Sequence, residues 1–267
     1  YLKAMATLHV DGAELYYEEH GEGEPLVLLH GFGSSTRDWE LQIPIFAERY
    51  RVIALDFRGF GRSSRDHGPF SVERFAADTL AILDHLGVSR FRLVGYSMGG
   101  ATAFQIAVDV PHRVERLILV NTQPSFLANT LRKRFEVVLR KLVVRFMGME
   151  RMAGVIARRL FPLEDQQALR ELVMDRYSTN TPAVYLGVLS TLPKWSVQER
   201  IGTIEAPTLV IAAEHDYTPL SEKEAYVPLM PDARLDIFED SRHGTPFDQQ
   251  ERFNATVMRF MDPEDAE

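Results

Sequence analysis

Short runs of β-branched and apolar residues, each closed by turn residues, recur at Thr7–Val10, Leu15–Glu18, Leu26–Leu29, Val52–Leu55, Phe91–Val94, Leu117–Val120, Leu209–Ala212 and Leu235–Phe238. They predict eight strands. Leu26-Val27-Leu28-Leu29, Val52-Ile53-Ala54-Leu55 and Leu117-Ile118-Leu119-Val120 are apolar without alternation, the pattern of parallel strands covered by helices on both faces. The first two runs alternate with polar residues around Asp11-Gly12, which predicts an antiparallel hairpin at the sheet edge. Between the runs, apolar positions recur at three and four. Ser71 can cap a helix carrying Val72, Phe75, Ala76, Leu80, Leu83 and Leu86 and ending at Gly87. Ala101–Asp109, Ser221–Leu229 and Gln249–Met261 read likewise. Strands alternating with helices over short connections predict a doubly wound, mostly parallel α/β sheet.

The alternation stops between Thr122 and Ala206, where helical periodicity takes over. The expected organisation is a core of residues 5–121 and 207–262 with a helical insertion at 122–206. Leu131, Phe135, Val138, Leu139, Leu142, Val143 and Phe146 share one helical face, and Met149, Met152, Ile156 and Leu160 continue an apolar stripe after Gly148. Further helices are expected at Asp165–Tyr177 and Thr181–Leu192. Tyr1–Ala4 precede Met5, the expected native start, and are set aside from the fold.

Composition narrows the chemistry. The 267 residues include no cysteine, which excludes disulfide scaffolds, thiolate metal sites and cysteine nucleophiles. A formal charge of −8 argues against nucleic acid as a partner. No apolar run approaches the roughly 18 to 20 residues that span a bilayer, and the amino end lacks a signal-peptide layout, so a cytoplasmic protein without integral membrane association is expected. The charge is uneven. Residues 126–160 hold nine basic and two acidic side chains, a local +7, leaving −15 on the rest. Such a segment reads as a solvated helix face, as attraction for an anionic substrate, as a dock for an acidic carrier protein, or as contact with anionic lipid headgroups.

Gly95-Tyr96-Ser97-Met98-Gly99-Gly100 lies directly between a predicted strand and a predicted helix. A serine on so tight a turn needs small neighbours two before and two after it, and Gly95 and Gly99 supply them. The turn lifts the Ser97 hydroxyl above the sheet, at a helix N-terminus that favours developing negative charge. A serine nucleophile needs a base, and the base needs an orienting acid. His243 follows the run Leu235–Phe238 in a polar loop and is the candidate base. Asp216 follows Leu209–Ala212 and is the candidate acid; Glu214 is its nearest competitor, with Asp240 and Asp248 as cap or surface residues. Early in the chain, His30-Gly31-Phe32-Gly33-Ser34-Ser35 closes the third run. Its glycines can turn amides inward, so the Phe32 and Met98 backbone amides are the candidate oxyanion hole, and His30 is read as a structural hydrogen-bonding residue.

Together these residues resemble the α/β-hydrolase superfamily over nearly the whole chain. Asp56-Phe57-Arg58-Gly59-Phe60-Gly61-Arg62-Ser63-Ser64 is similar to the turn after that family's fourth strand. The resemblance implies a helical cap formed by the insertion, and hydrolysis of an acyl or related bond with neither metal nor organic cofactor. Serine at position 97 separates the chain from relatives that use aspartate there to open epoxides or remove halide. The leading expectation is a carboxylesterase that takes a small acyl ester, a lactone or an acyl-carrier methyl ester, with the basic 126–160 segment docking the carrier protein. Phe32, Tyr96, Phe126, Phe146 and Trp195 are the expected substrate-binding side chains, since apolar and aromatic groups suit an acyl or aryl moiety. Two rivals stand beside it. A lyase resembling those of the menaquinone pathway, or a carbon–carbon hydrolase, would use the same three residues, and a receptor of this fold would bind without turnover.

Overall fold

A computed structural model describes residues 2–262. Among these residues eight strands form one sheet: β1 (Leu2–Val10), β2 (Ala13–His20), β3 (Glu24–Leu29), β4 (Tyr50–Leu55), β5 (Phe91–Tyr96), β6 (Val114–Val120), β7 (Thr208–Ala213) and β8 (Ala233–Phe238). Their order is β1-β2-β4-β3-β5-β6-β7-β8. The first two pair antiparallel to each other and β2 antiparallel to β4; every other pairing is parallel. All eight expected runs are strands. The first begins earlier than expected: Leu2 already pairs with His20 and Ala4 with Glu19, so Leu2–Ala4 belong to the edge hairpin. A backbone ladder needs no apolar side chain, which is why the pattern did not show it.

Among the described residues nine α-helices flank the sheet or fill the insertion. They are α1 (Ile43–Phe46), α2 (Val72–His85), α3 (Met98–Asp109), α4 (Leu131–Leu160), α5 (Gln167–Ser178), α6 (Pro182–Thr191), α7 (Leu220–Tyr226), α8 (Thr245–Asp248) and α9 (Gln250–Met261). The runs without alternation feed two cores. Val27, Leu29, Ile53, Leu55, Leu117 and Leu119 pack with α2 and α3 residues such as Phe75 and Phe104. Their neighbours Leu26, Leu28, Val52, Ala54, Ile118 and Val120 pack with Phe46 of α1 and Phe253 and Val257 of α9. Each such large side chain contributes on the order of 1.5–3 kcal/mol by leaving water. Ser71 caps α2 by accepting from the Arg74 amide. α1 and α8, four residues each, are too short for periodicity to reveal.

Between β6 and β7 lie α4, α5 and α6. α4 breaks at Gly148, whose φ of 79° and ψ of 177° lie outside the helical region. The second half buries Met149, Met152 and Leu160. The first half departs from expectation: Leu131, Phe135, Val138, Leu139, Leu142 and Phe146 are exposed, and of the predicted stripe only Val143 is half-buried. Residues on the opposite side, Val137, Arg140 and Val144, turn inward instead. α5 anchors the insertion to the loop after β3. Its buried Arg176 donates to Asp38 (3.4 Å) and Glu40 (2.6 Å), Arg37 pairs with Asp175 at 2.8 Å, and Asn180 Nδ2 donates to the Gly33 carbonyl at 2.6 Å.

Candidate active site

The strand-to-helix turn after β5 is tight enough that ordinary residues do not fit around it. A Cβ on Gly95 would stand 2.4 Å from the Gly99 carbonyl oxygen, and one on Gly99 would stand 2.2 Å from the Leu29 carbonyl oxygen. Ser97 itself takes φ 55° and ψ −113°, a conformation that L-residues rarely occupy. This geometry aims its hydroxyl at the carboxyl ends of the strands, where His243 and Asp216 also arrive.

Ser97 Oγ lies 3.0 Å from His243 Nε2, and His243 Nδ1 lies 2.8 Å from Asp216 Oδ1. With Nδ1–H donating to the carboxylate, Nε2 is left as the acceptor facing the serine hydroxyl. Burial alone would raise the Asp216 carboxyl. The charge and hydrogen bond of His243, the Lys223 ammonium and the Thr218 hydroxyl together outweigh it and hold the group well below the usual carboxylate range. The carboxylate is thus ionised wherever the imidazole must be held. The competing acids lie elsewhere: Glu214 is exposed and accepts from the Asp240 amide at 3.1 Å, while Asp248 takes the Ser241 hydroxyl at 2.9 Å and the Arg242 amide at 3.3 Å.

The Phe32 and Met98 amides have no internal acceptor among the described residues, which leaves both N–H groups available to an oxygen beside Ser97. The Phe32 loop is held rigidly. Asp38 accepts from the Gly31 amide at 2.9 Å and from the Ser34 hydroxyl, and Asp56 accepts from the Thr36 amide at 2.7 Å and the Arg62 amide at 2.8 Å. His30 is fully buried, with Nδ1 2.7 Å from the Gly31 carbonyl and Nε2 accepting from the Phe57 amide at 2.9 Å. Both ring nitrogens are spent on backbone, so it fastens the loop and has no free nitrogen for proton transfer.

A cavity of about 270 Å³ opens over Ser97 and His243, lined mainly by apolar groups including Phe32, Phe126, Val137, Met152, Ile156 and Leu160. Tyr96 lines it as well, its ring 5.4 Å from that of His243. Two expected substrate contacts are not brought there. Trp195 is buried beside Phe126 with Nε1 donating to Gln105 at 2.8 Å, and Phe146 is 75% exposed on the outer face of α4. An aromatic residue near a site in sequence need not face it, because α4 presents apolar residues on both sides.

Four residues that shape the site carried no local signal. Lys223, fully buried, donates to Asp216 Oδ2 at 3.0 Å and to Thr218. Asn121 accepts from the Ala213 amide and donates to the His243 carbonyl, each at 2.8 Å, and Thr122 Oγ1 donates to the Ser97 carbonyl at 2.8 Å. Arg140 reaches into the cavity, bonds the Tyr185 hydroxyl and lies 5.5 Å from the Phe32 ring centre. It has no carboxylate partner among the described residues, and the apolar periodicity of α4 marked the side of the helix opposite to it.

A serine, an imidazole and a carboxylate in this sequence order, on a sheet with this strand order, constitute the α/β-hydrolase architecture. The chain belongs to the α/β hydrolase fold family, whose model matches residues 24–249. It is 32% identical to a protein of Azorhizobium caulinodans named as a candidate carbamate hydrolase, RutD, over 96% of this chain and 98% of that one. It is 28% identical to 3-oxoadipate enol-lactonase 2 of Acinetobacter baylyi over 96% of each chain. Among solved structures, the enol-lactonase of Burkholderia xenovorans LB400 superimposes with a TM-score of 0.88 at 25% identity, covering 96% of this chain and 99% of that one. No helix among the described residues is long and apolar enough to cross a membrane.

Proposed function

We propose that the protein is a serine hydrolase of carboxylic esters and lactones. The observation that carries this reading is the line from Ser97 through His243 to Asp216 at 3.0 and 2.8 Å, with two unengaged amides beside the serine. His243 Nε2 takes the hydroxyl proton as Ser97 Oγ attacks the ester carbonyl carbon. The resulting oxyanion accepts from the Phe32 and Met98 amides, an interaction worth on the order of a hundredfold or more in turnover per donor. The tetrahedral species collapses, His243 gives its proton to the leaving alkoxide, and the alcohol departs from an acyl-enzyme. Water then enters, His243 removes its proton, and the acid leaves as Ser97 recovers its hydrogen. No metal or organic cofactor is required by any step.

Substrate choice falls to the helical cap formed by the insertion. An apolar cavity of about 270 Å³ suits a small to medium acyl or lactone group. Arg140, a cation inside that cavity with no carboxylate to meet, favours a substrate that brings one. The similarity to enol-lactonases supports the lactone branch of this reading.

Hydrolysis of nitrophenyl esters from acetate to palmitate, and of a lactone series, tests it with Ser97→Ala as the blank. Turnover that drops more than about a thousandfold in Ser97→Ala is the expected result. No ester or lactone turnover above that blank, in folded protein, overturns the reading in favour of carbon–carbon cleavage or elimination by the same residues.

A further inference from the structure

The outer face of the first half of α4 is the feature the catalytic reading leaves unexplained. Leu131, Phe135, Val138, Leu139, Leu142 and Phe146 follow one another at intervals of four, three, one, three and four, so they form a single continuous stripe. All six are exposed, Leu131 at 84% and Phe135 at 66%. A soluble surface seldom carries so many large apolar groups in one row without a partner. On a helical projection, Arg134, Lys141 and Arg145 border one margin of the stripe and Arg132 the other. Arg134 donates to the Ala128 carbonyl and Lys141 to Ser190, and neither of these nor Arg145 has a carboxylate partner among the described residues.

We propose that this face docks the protein on an anionic lipid surface. An apolar row flanked by cations is what a helix lying in the plane of a bilayer presents, with the row among the acyl chains and the cations at the headgroups. The charge distribution supports the orientation: +7 within residues 126–160 and −15 elsewhere turn α4 toward an anionic surface and the rest of the chain away. A second copy fits poorly, because a two-fold contact along the stripe sets its cationic margins against those of the partner. An acidic carrier protein would answer the cations but bury six apolar side chains only with a matching apolar strip of its own. The opposite side of the same helix contributes Val137 and Arg140 to the cavity wall, so docking would set the wall of the site against the lipid. The association is peripheral and independent of the ester-hydrolase reading.

Flotation of the whole protein with vesicles tests the proposal, using phosphatidylcholine alone and mixed in about equal parts with phosphatidylglycerol. Binding to the mixed vesicles, weakened by salt and by omission of the anionic lipid, is the expected outcome. Phe135→Ser with Leu142→Ser lowers the partition coefficient by at least about tenfold, and Arg134→Gln with Lys141→Gln and Arg145→Gln removes the salt dependence. Phe135, Leu142, Arg134 and Arg145 are exposed and Lys141 is half-buried, and an unchanged melting temperature and unchanged hydrolysis of a short soluble ester identify the loss as one of docking. Absence of vesicle binding overturns the proposal, as does binding that survives Phe135→Ser with Leu142→Ser. A solution dimer, or a complex with an acidic carrier protein, that those two substitutions dissolve while vesicles go unbound assigns the stripe to protein and equally overturns it.

Discussion

Tyr217 Oη lies 2.6 Å from His243 Nε2, closer than the Ser97 hydroxyl at 3.0 Å. The imidazole nitrogen facing the serine has a single lone pair, so the phenol and the serine compete to donate to it. Tyr217→Phe removes the competitor without altering the ring. A typical hydrogen bond is worth about 0.5–1.5 kcal/mol, so kcat on a small ester is expected to rise by about two- to tenfold. Steady-state kinetics decide it: a kcat lowered in Tyr217→Phe would mean that the phenol assists the reaction, for instance by meeting the leaving group.

Lys223 and Asp216 form a pair buried to within 1%. Lys223→Met keeps the length of the side chain while leaving one carboxylate oxygen with only the Thr218 hydroxyl. Removing one member of a buried pair typically costs about 3–5 kcal/mol, which predicts a clear drop in the urea midpoint. Because the freed carboxylate loses the group that fixes its rotamer, kcat falls more than KM rises. An unfolding midpoint equal to that of the parent chain would sink this account.

Arg140 is predicted to select by charge. Replacing it with Met keeps the apolar stem and removes the guanidinium. Hydrolysis of an ester carrying a distal carboxylate is expected to lose about tenfold or more in kcat/KM, while its neutral methyl counterpart changes little. Equal losses on both substrates would show that Arg140 supports the Tyr185 contact and nothing further.

Acid sensitivity has a specific origin at His30. Burial, the largest influence, holds its proton affinity below the ordinary value of 6.5, against smaller opposing pulls from Asp56 and Asp38. The unfolded chain therefore binds a proton there that the folded chain does not. The stabilising contribution is complete above 6.5 and is lost as pH falls through the folded value. Urea midpoints compared at about pH 7 and about pH 5 should fall less in His30→Gln than in the parent, although the variant is less stable at both because the Phe57 amide loses an acceptor. An identical fall in the two proteins would show that His30 is not the proton-linked group.

The sheet was readable because its inner strands, buried on both faces, leave nearly uninterrupted apolar runs and its edge strands leave alternating ones, and all eight runs are strands. Ser97, Asp216 and His243 stood out for a related reason: each lies within a few residues after a predicted strand, and a parallel sheet gathers the ends of its strands on one side. Asn121 and Thr122 stayed hidden because their roles consist of contacts with residues tens of positions away, and Lys223 because a lysine in a polar stretch reads as a solvated surface cation, although its partners Asp216 and Thr218 lie only seven and five positions before it. Phe146 and Trp195 illustrate the opposite difficulty. Periodicity reveals that a face is apolar, but what covers that face depends on the angle at which the helix lies, and at α4 the expected interior stripe is the one turned outward.

Asn121 and Thr122 stand side by side at the end of β6, and between them they hold the Ser97 carbonyl, the His243 carbonyl and the Ala213 amide at the end of β7. The three chain segments that bear the reactive side chains are thus moored to one point just past β6, ahead of the helices α4, α5 and α6. The helices α4, α5 and α6 supply none of these three ties; what the insertion holds instead is the loop after β3, through Arg176 on Asp38 and Asn180 on the Gly33 carbonyl. Grafting a different set of helices between β6 and β7 would alter what is admitted while leaving Ser97, His243 and Asp216 moored, provided the graft keeps the hold of Arg176 and Asn180 on the loop after β3, which makes this chain a scaffold for modular exchange.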